Sequence, residues 1–276
     1  MTPAAAQPTP SSQMPPSIGV LRHLARSGGT VISKCIACMR GVALLSEVHP
    51  AEFMRHTRPL VQAMHWHGLV RDDDVQRWQR AGRIDLGEEL ATIARRARER
   101  GDTLVLRDWS HLDYVGVPYA VPRMGFALGD ALAGVASVRA FATVRHPIDQ
   151  WLSLSRLPHV ADRLTLSAYL RGLDAFSAWC VAHGFVRYED FTREPGLQLD
   201  RICAGLGIAY DETWCDRWSA YDKVTGDRPG AGASGRGAAS SAITPLERRA
   251  HGADLLDAFR SHDVYAPICE RLGYEP

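Results

Sequence analysis

The chain has 276 residues and a formal net charge of +1, so no global field draws it to nucleic acid or to a membrane surface, and any anion site must arise locally. With 46% hydrophobic and 23% charged residues it has the composition of a globular protein, which excludes a disordered or fibrous chain. No linker or internal repeat divides residues 18–276, which are expected to form a single domain.

Residues 1–17 (MTPAAAQPTPSSQMPPS) read as a disordered tail rich in Pro, Ala, Ser and Thr, without the basic and apolar regions of a signal peptide. No apolar run is long enough to span a bilayer, so a cytoplasmic location without a membrane span is expected. Ile18–Leu24 reads as a strand, Ala25–Thr30 as a turn, and Thr30–Met39 as a helix from its apolar spacing. Strand, glycine turn and helix in this order are typical of nucleotide-binding α/β units. Cys35 and Cys38 form a CxxC pair, but it sits in that apolar run at i and i+3, which favours core packing over a redox or zinc site.

A second apolar run, Val42–Leu45, leads into Ser46–Pro50, and residues 51–101 read as a polar helical insertion. Within it, Gly87–Arg100 has early acids and a basic last turn, with Gly101 as its stop, and its arginines are expected to form a solvated face. Thr103–Leu106 and Val138–Val144 read as buried strands; a helix follows Pro147 and another covers Leu166–His183, closed by Gly184. Phe185–Tyr188 reads as a short strand, Leu197–Leu206 as a helix, Thr225–Ser241 as a Gly/Ser/Ala-rich loop, and Pro245–Phe259 as a closing helix. Alternating strands and helices imply an α/β fold, a three-layer α/β/α arrangement around a central parallel sheet.

Three segments carry chemistry. In Arg26-Ser27-Gly28-Gly29-Thr30, the glycines allow a tight turn that aims backbone N–H groups at an anion, helped by the helix start, two hydroxyls and the arginine. The spacing and the lysine of a Walker A loop are both missing. In Arg145-His146-Pro147-Ile148-Asp149-Gln150-Trp151-Leu152-Ser153, an arginine at a strand end and a serine two turns into a helix could hold a second phosphate, with Asp149 either orienting the arginine or opening the helix. The third is Val186-Arg187-Tyr188-Glu189-Asp190-Phe191, followed by Thr192-Arg193-Glu194-Pro195 and a helix. Each segment alone has an ordinary structural reading, as a strand–helix turn or a helix cap.

In order and spacing, RSGGT, RHPIDQWLS and VRYEDFTREP resemble the bacterial-type PAPS-dependent sulfotransferases of P-loop-like fold, over roughly residues 18–240. The resemblance implies transfer of a sulfuryl group from PAPS (3′-phosphoadenosine 5′-phosphosulfate) to a hydroxyl or amine, leaving PAP, with a small-molecule or glycan acceptor, no metal, and a homodimer left open. It places the 5′-phosphosulfate on Arg26, Ser27, Gly28, Gly29 and Thr30, although a hydroxyl residue often stands where this chain has Gly29. The 3′-phosphate falls to Arg145 and Ser153 and the adenosine to Tyr188. A late Gly-rich basic loop implies Arg236, with Arg228 as the fallback. For the proton-accepting base, His111 is the first candidate, matching a catalytic histidine in many members, and Glu47 the second, with His49 and Asp108 behind; Arg26 would stabilise the leaving phosphate.

Two rivals remain at this point. TLVLRD could end in a magnesium-binding Asp108, making the chain a metal-dependent phosphotransferase, or the fold could serve a catalytically silent nucleotide-binding protein. The acceptor is not legible; Arg55–Arg83, with Trp66, Trp78 and several histidines, could form its pocket or a helical lid.

Overall fold

Five aliphatic runs form strands β1 (Ser17–His23), β2 (Val42–Val48), β3 (Thr103–Asp108), β4 (Ser137–Val144) and β5 (Phe185–Arg187). They belong to a computed structural model that describes residues 14–226, 242–245 and 247–276. All pair in parallel, in the order β2-β3-β1-β4-β5. Parallel strands are covered on both faces and so need apolar residues throughout; in β1 only Ser17 is exposed.

The connections are helical. α1 (Gly29–Ala37) joins β1 to β2; α2 (Pro59–His65), α3 (Asp72–Ala81) and α4 (Leu86–Glu99) lie between β2 and β3; α5 (Ser110–Tyr114) and α6 (Ala127–Leu132) follow β3. After β4 come α7 (Pro147–Leu154) and α8 (Leu166–His183), and after β5 come α9 (Tyr188–Arg193) and α10 (Pro195–Leu206). Two 3₁₀ turns, Glu212–Asp216 and Trp218–Ala220, precede α11 (Ala253–Arg260) and α12 (Tyr265–Leu272).

On one face of the sheet, Ile32 and Ile36 of α1 and Leu199 and Leu206 of α10 pack on Leu21, Leu44 and Val105. On the other, Leu90 and Ile93 of α4 and Leu128 of α6 cover Val20, Leu45 and Leu106, and α8 and α12 continue that layer past Ala142 and Val144. Each such buried aliphatic side chain contributes about 1.5–3 kcal/mol. This is the expected three-layer α/β/α arrangement. Among the described residues, no helix is long and apolar enough to cross a membrane.

Local chemistry sets the helix ends. α8 spans its expected residues because the Thr165 hydroxyl accepts the Ala168 N–H and Gly184 leaves the helix at φ +97°. Pro147 stands in the first turn of α7. The arginines near the end of α4 are not simply solvated: Arg96 pairs with Asp74, and Arg100 donates to the carbonyls of His67 and Gly68.

The closing helix expected at Pro245–Phe259 starts later. α11 begins at Ala253, because Asp149 of α7 accepts the Arg249 N–H at 2.8 Å and pairs with Arg248 Nε at 2.7 Å, so this stretch is tied across another helix. β5 stops at Arg187, and Tyr188 opens α9.

Candidate active site

The loop after β1 turns on two left-handed residues, Arg26 at φ +72° and Gly28 at φ +85°. Both glycines are fixed by neighbours. A Cβ on Gly28 would lie 2.1 Å from the Tyr188 ring, and one on Gly29 would lie 2.1 Å from Nε2 of His23. The His23 imidazole thus fills the space into which a side chain at position 29 would point, which accounts for the glycine there. Ser27 does not offer its proton to a ligand as expected. Its buried hydroxyl donates to the Leu24 carbonyl at 2.8 Å, satisfying an acceptor left over where the strand ends.

The first and second motifs, expected as separate anion sites, are in contact. Arg26 Nε donates to the Ser153 hydroxyl at 2.9 Å, and Arg145 donates to the Arg26 carbonyl at 3.2 Å. Arg145 also lies over the Tyr188 ring, 5.9 Å from its centre. Neither arginine has a carboxylate partner among the described residues, and Asp149 binds Arg248 instead of orienting Arg145. Burial, and then the like charge of Arg145, pull Arg26 below its ordinary value. Two adjacent cations, Arg26 half-buried and Arg145 buried, with no carboxylate partner among the described residues, form a cradle suited to an anion.

The turn that carries Arg145 is braced from behind. Glu189 accepts the His146 N–H at 2.9 Å and the Tyr274 hydroxyl at 2.8 Å. The His146 Nδ1 accepts the Ile148 N–H at 3.3 Å and so caps α7. Burial first, and the Arg248 charge second, lower the His146 imidazole from 6.5 to about 4. Between these values the unfolded chain binds a proton that the folded chain refuses. The His146 contribution is therefore complete above about pH 6.5 and is lost as pH falls toward about 4. Urea midpoints should drop from about pH 7 to about pH 5, and drop less in His146→Asn, whose amide oxygen can cap without titrating.

A second cluster forms where β2 and β3 end. The β2–β3 register shifts between Leu45 and Val48, and within that irregularity Glu47 takes φ +55°, a strained backbone for a non-glycine residue. Its Oε1 faces Arg107 at 3.5 Å and its Oε2 accepts the Thr225 hydroxyl at 2.8 Å. Arg107, 5% exposed, also donates to His23 Nε2, the Ser46 hydroxyl, the Thr225 carbonyl and, at 3.5 Å, the Thr30 hydroxyl. Arg107 thereby joins Glu47 to the end of the first motif. Burial, and then Arg107, keep His23 well below its usual value and neutral.

The other base candidates sit differently. His111 is 4% exposed, with Nε2 donating to the Val117 carbonyl at 2.8 Å; Nδ1 is its basic nitrogen, buried and without a protein partner among the described residues. Burial lowers its affinity for a proton. His49 uses both nitrogens, on the Ala51 N–H and on Asp113. Asp108 is not paired with Arg107: it accepts from Arg22 Nε at 2.9 Å and from Ser110 at 2.6 Å. Arg22, 0% exposed, further reaches Asp113, Tyr114 and the Gly125 carbonyl, and lies over the rings of Phe126 and Trp179 at 4.0 and 4.3 Å.

Beyond β3 the rings of His56, Trp109, Tyr119 and His159 touch in a chain, with centroids 5.1–6.4 Å apart. Next to His56 in sequence, a cavity of about 460 Å³ is lined by Phe53, Met54, Val75, Trp78 and Ile84. It draws on the segment singled out as a possible acceptor pocket, though Trp66 does not line it. Arg228 and Arg236 lie outside the described residues.

The parallel sheet, the glycine turn after its first strand and the flanking helix layers define a P-loop-like α/β/α fold. Solved sulfotransferase domains have this fold. The chain is similar to the sulfotransferase domain from the Synechococcus PCC 7002 olefin synthase, at 19% identity over 99% of this chain and 100% of that one, with a TM-score of 0.62. It is also similar to the sulfotransferase domain from the curacin biosynthetic pathway, at 15% identity over 96% and 99% of the two chains, with a TM-score of 0.59. No protein-family model matches the chain, and no curated protein matches it either.

Proposed function

We propose that this chain transfers a sulfuryl group from PAPS to an acceptor hydroxyl by in-line displacement, with Glu47 taking the proton. The observation that carries this reading is the meeting of Thr30, Arg107 and Glu47 in one hydrogen-bonded cluster, on the same loop as the cradle of Arg26, Ser153 and Arg145.

PAPS would supply an activated sulfuryl group on a phosphate leaving group. Arg145 and Ser153 would hold its 3′-phosphate, and Tyr188, packed on Gly28 and beneath Arg145, would give the adenosine an aromatic wall. The first amides of α1, the Thr30 hydroxyl and Arg26 would face the 5′-phosphosulfate. Arg107 adds a buried positive charge on that side, of the kind that stabilises charge spreading over sulfuryl and phosphate oxygens. Glu47 is preferred to His111 because its carboxylate is partly exposed and joined through Arg107 to Thr30, whereas the His111 ring is buried and anchored to Val117.

The metal-dependent phosphotransferase reading is disfavoured by Asp108, whose carboxylate already serves Arg22 and Ser110 in a fully buried setting. Calorimetric titration with PAP tests the proposal. Binding in the micromolar range, unchanged by a chelator, is expected. If PAP does not bind, or binds only with magnesium, the proposal is wrong.

A further inference from the structure

We infer that Thr225 holds, in the acceptor-free protein, the place that the acceptor's own oxygen takes on Glu47, and that this place selects an alcohol. The inference rests on the donor reading above.

The Thr225 hydroxyl donates to Glu47 Oε2 at 2.8 Å, the contact that a general base makes with the group it deprotonates. It is held there by its backbone, whose N–H donates to the Ser46 hydroxyl at 3.1 Å and whose carbonyl accepts from Arg107 at 3.0 Å. The next residue, Gly226, lies against the first motif: a Cβ placed on it would sit 3.5 Å from the Thr30 hydroxyl and 3.7 Å from Glu47 Oε1. Gly226 therefore lies between Thr30 of the donor loop and the base, and the Thr225 hydroxyl next to it sits between Glu47 and Ser46.

Hydrogen-bond accounting fixes the chemistry of the place. The Ser46 hydroxyl accepts from Arg107 at 3.1 Å and from the Thr225 N–H, so both its lone pairs are in use. Its own proton is left to point at the Thr225 hydroxyl, 2.9 Å away. The occupant must then accept one hydrogen bond, from Ser46, and donate one, to Glu47. An alcohol does both and keeps a second lone pair to attack sulfur; an ammonium group has no lone pair, and the single lone pair of a neutral amine would be taken up by Ser46. In the transfer, the alcohol oxygen bonds to sulfur as the bond from sulfur to the 5′-phosphate oxygen breaks. That electron pair leaves with PAP, and the alcohol proton goes to Glu47.

Thr225→Ala removes the hydroxyl and keeps both backbone contacts. Crystals of this variant soaked in ethylene glycol should show an alcohol oxygen bonded to Glu47 and Ser46, and Thr225→Ser crystals should exclude it. In solution without acceptor, Thr225→Ala should release PAP from PAPS severalfold faster than the wild type, as water reaches Glu47, while PAP affinity stays within about twofold. Thr225→Ser should restore slow release. An empty or collapsed site, or release that is unchanged or slower in Thr225→Ala with PAP affinity intact, overturns this inference alone. If the wild type does not bind PAP, the donor reading falls and the inference falls with it.

Discussion

Arg145→Ala should weaken PAP binding by roughly ten- to a hundredfold, the loss of about 1.5–3 kcal/mol expected for a hydrogen bond to a charged group. The guanidinium sits at the mouth of α7 with no carboxylate among the described residues, so nothing in the protein replaces the missing anion contact. Arg145→Lys should recover part of the affinity, since it keeps the charge and loses the planar fork. Arg26→Ala should cost a similar amount, and the pair should be non-additive, because removing one cation relieves the other of a like charge. Calorimetry on the two single variants and the double variant measures all three terms. PAP binding unaffected by either single substitution would sink the nucleotide assignment.

The second large effect concerns stability. Arg22→Met should cost about 3–5 kcal/mol, because it leaves the Asp108 and Asp113 carboxylates buried without a counter-charge. Burial opposes the Arg22 charge, and Asp108 and Tyr114 outweigh it, so the guanidinium stays ionised. The rings of Phe126 and Trp179 on either side add cation–π attraction that methionine cannot supply. Arg22→Met combined with Asp108→Asn should regain part of the loss by removing one stranded charge. Urea denaturation of the three proteins reads this directly, and a single variant as stable as the wild type would refute the account.

The sheet and most helices were legible because their signals are local. β1 contains a run of four apolar residues and β3 a run of three, and α8 has a capping threonine at one end and a glycine at the other. The three motif loops were legible because glycine, proline and arginine mark strand ends. What escaped depends on distant partners. α11 starts late because of Asp149, about a hundred residues earlier in sequence. The fusing of the first two motifs depends on a side-chain reach from Arg26 to Ser153 that no spacing rule contains. Arg22 and Arg107 did leave a trace: each is a charged residue following the apolar run of a central strand. Leu21 is in register with Arg107, so the two arginines leave opposite faces of the sheet, one toward the Asp108–Asp113 network and one toward Glu47. A charge in a strand covered on both sides requires a partner, and that requirement could have singled out both.

The brace behind Arg145 bears on how the protein is handled. Tyr274 and the Gly273 carbonyl, close to residue 276, are gripped by Glu189 and Arg187, and Glu189 in turn grips the backbone of His146. An affinity tag or fusion partner attached after residue 276 would sit beside these contacts, whereas β1 starts, at Ser17, on the opposite edge of the sheet. Purification handles and reporter fusions therefore belong at the amino end, because a carboxy-terminal fusion that displaced Tyr274 would loosen the turn that presents Arg145.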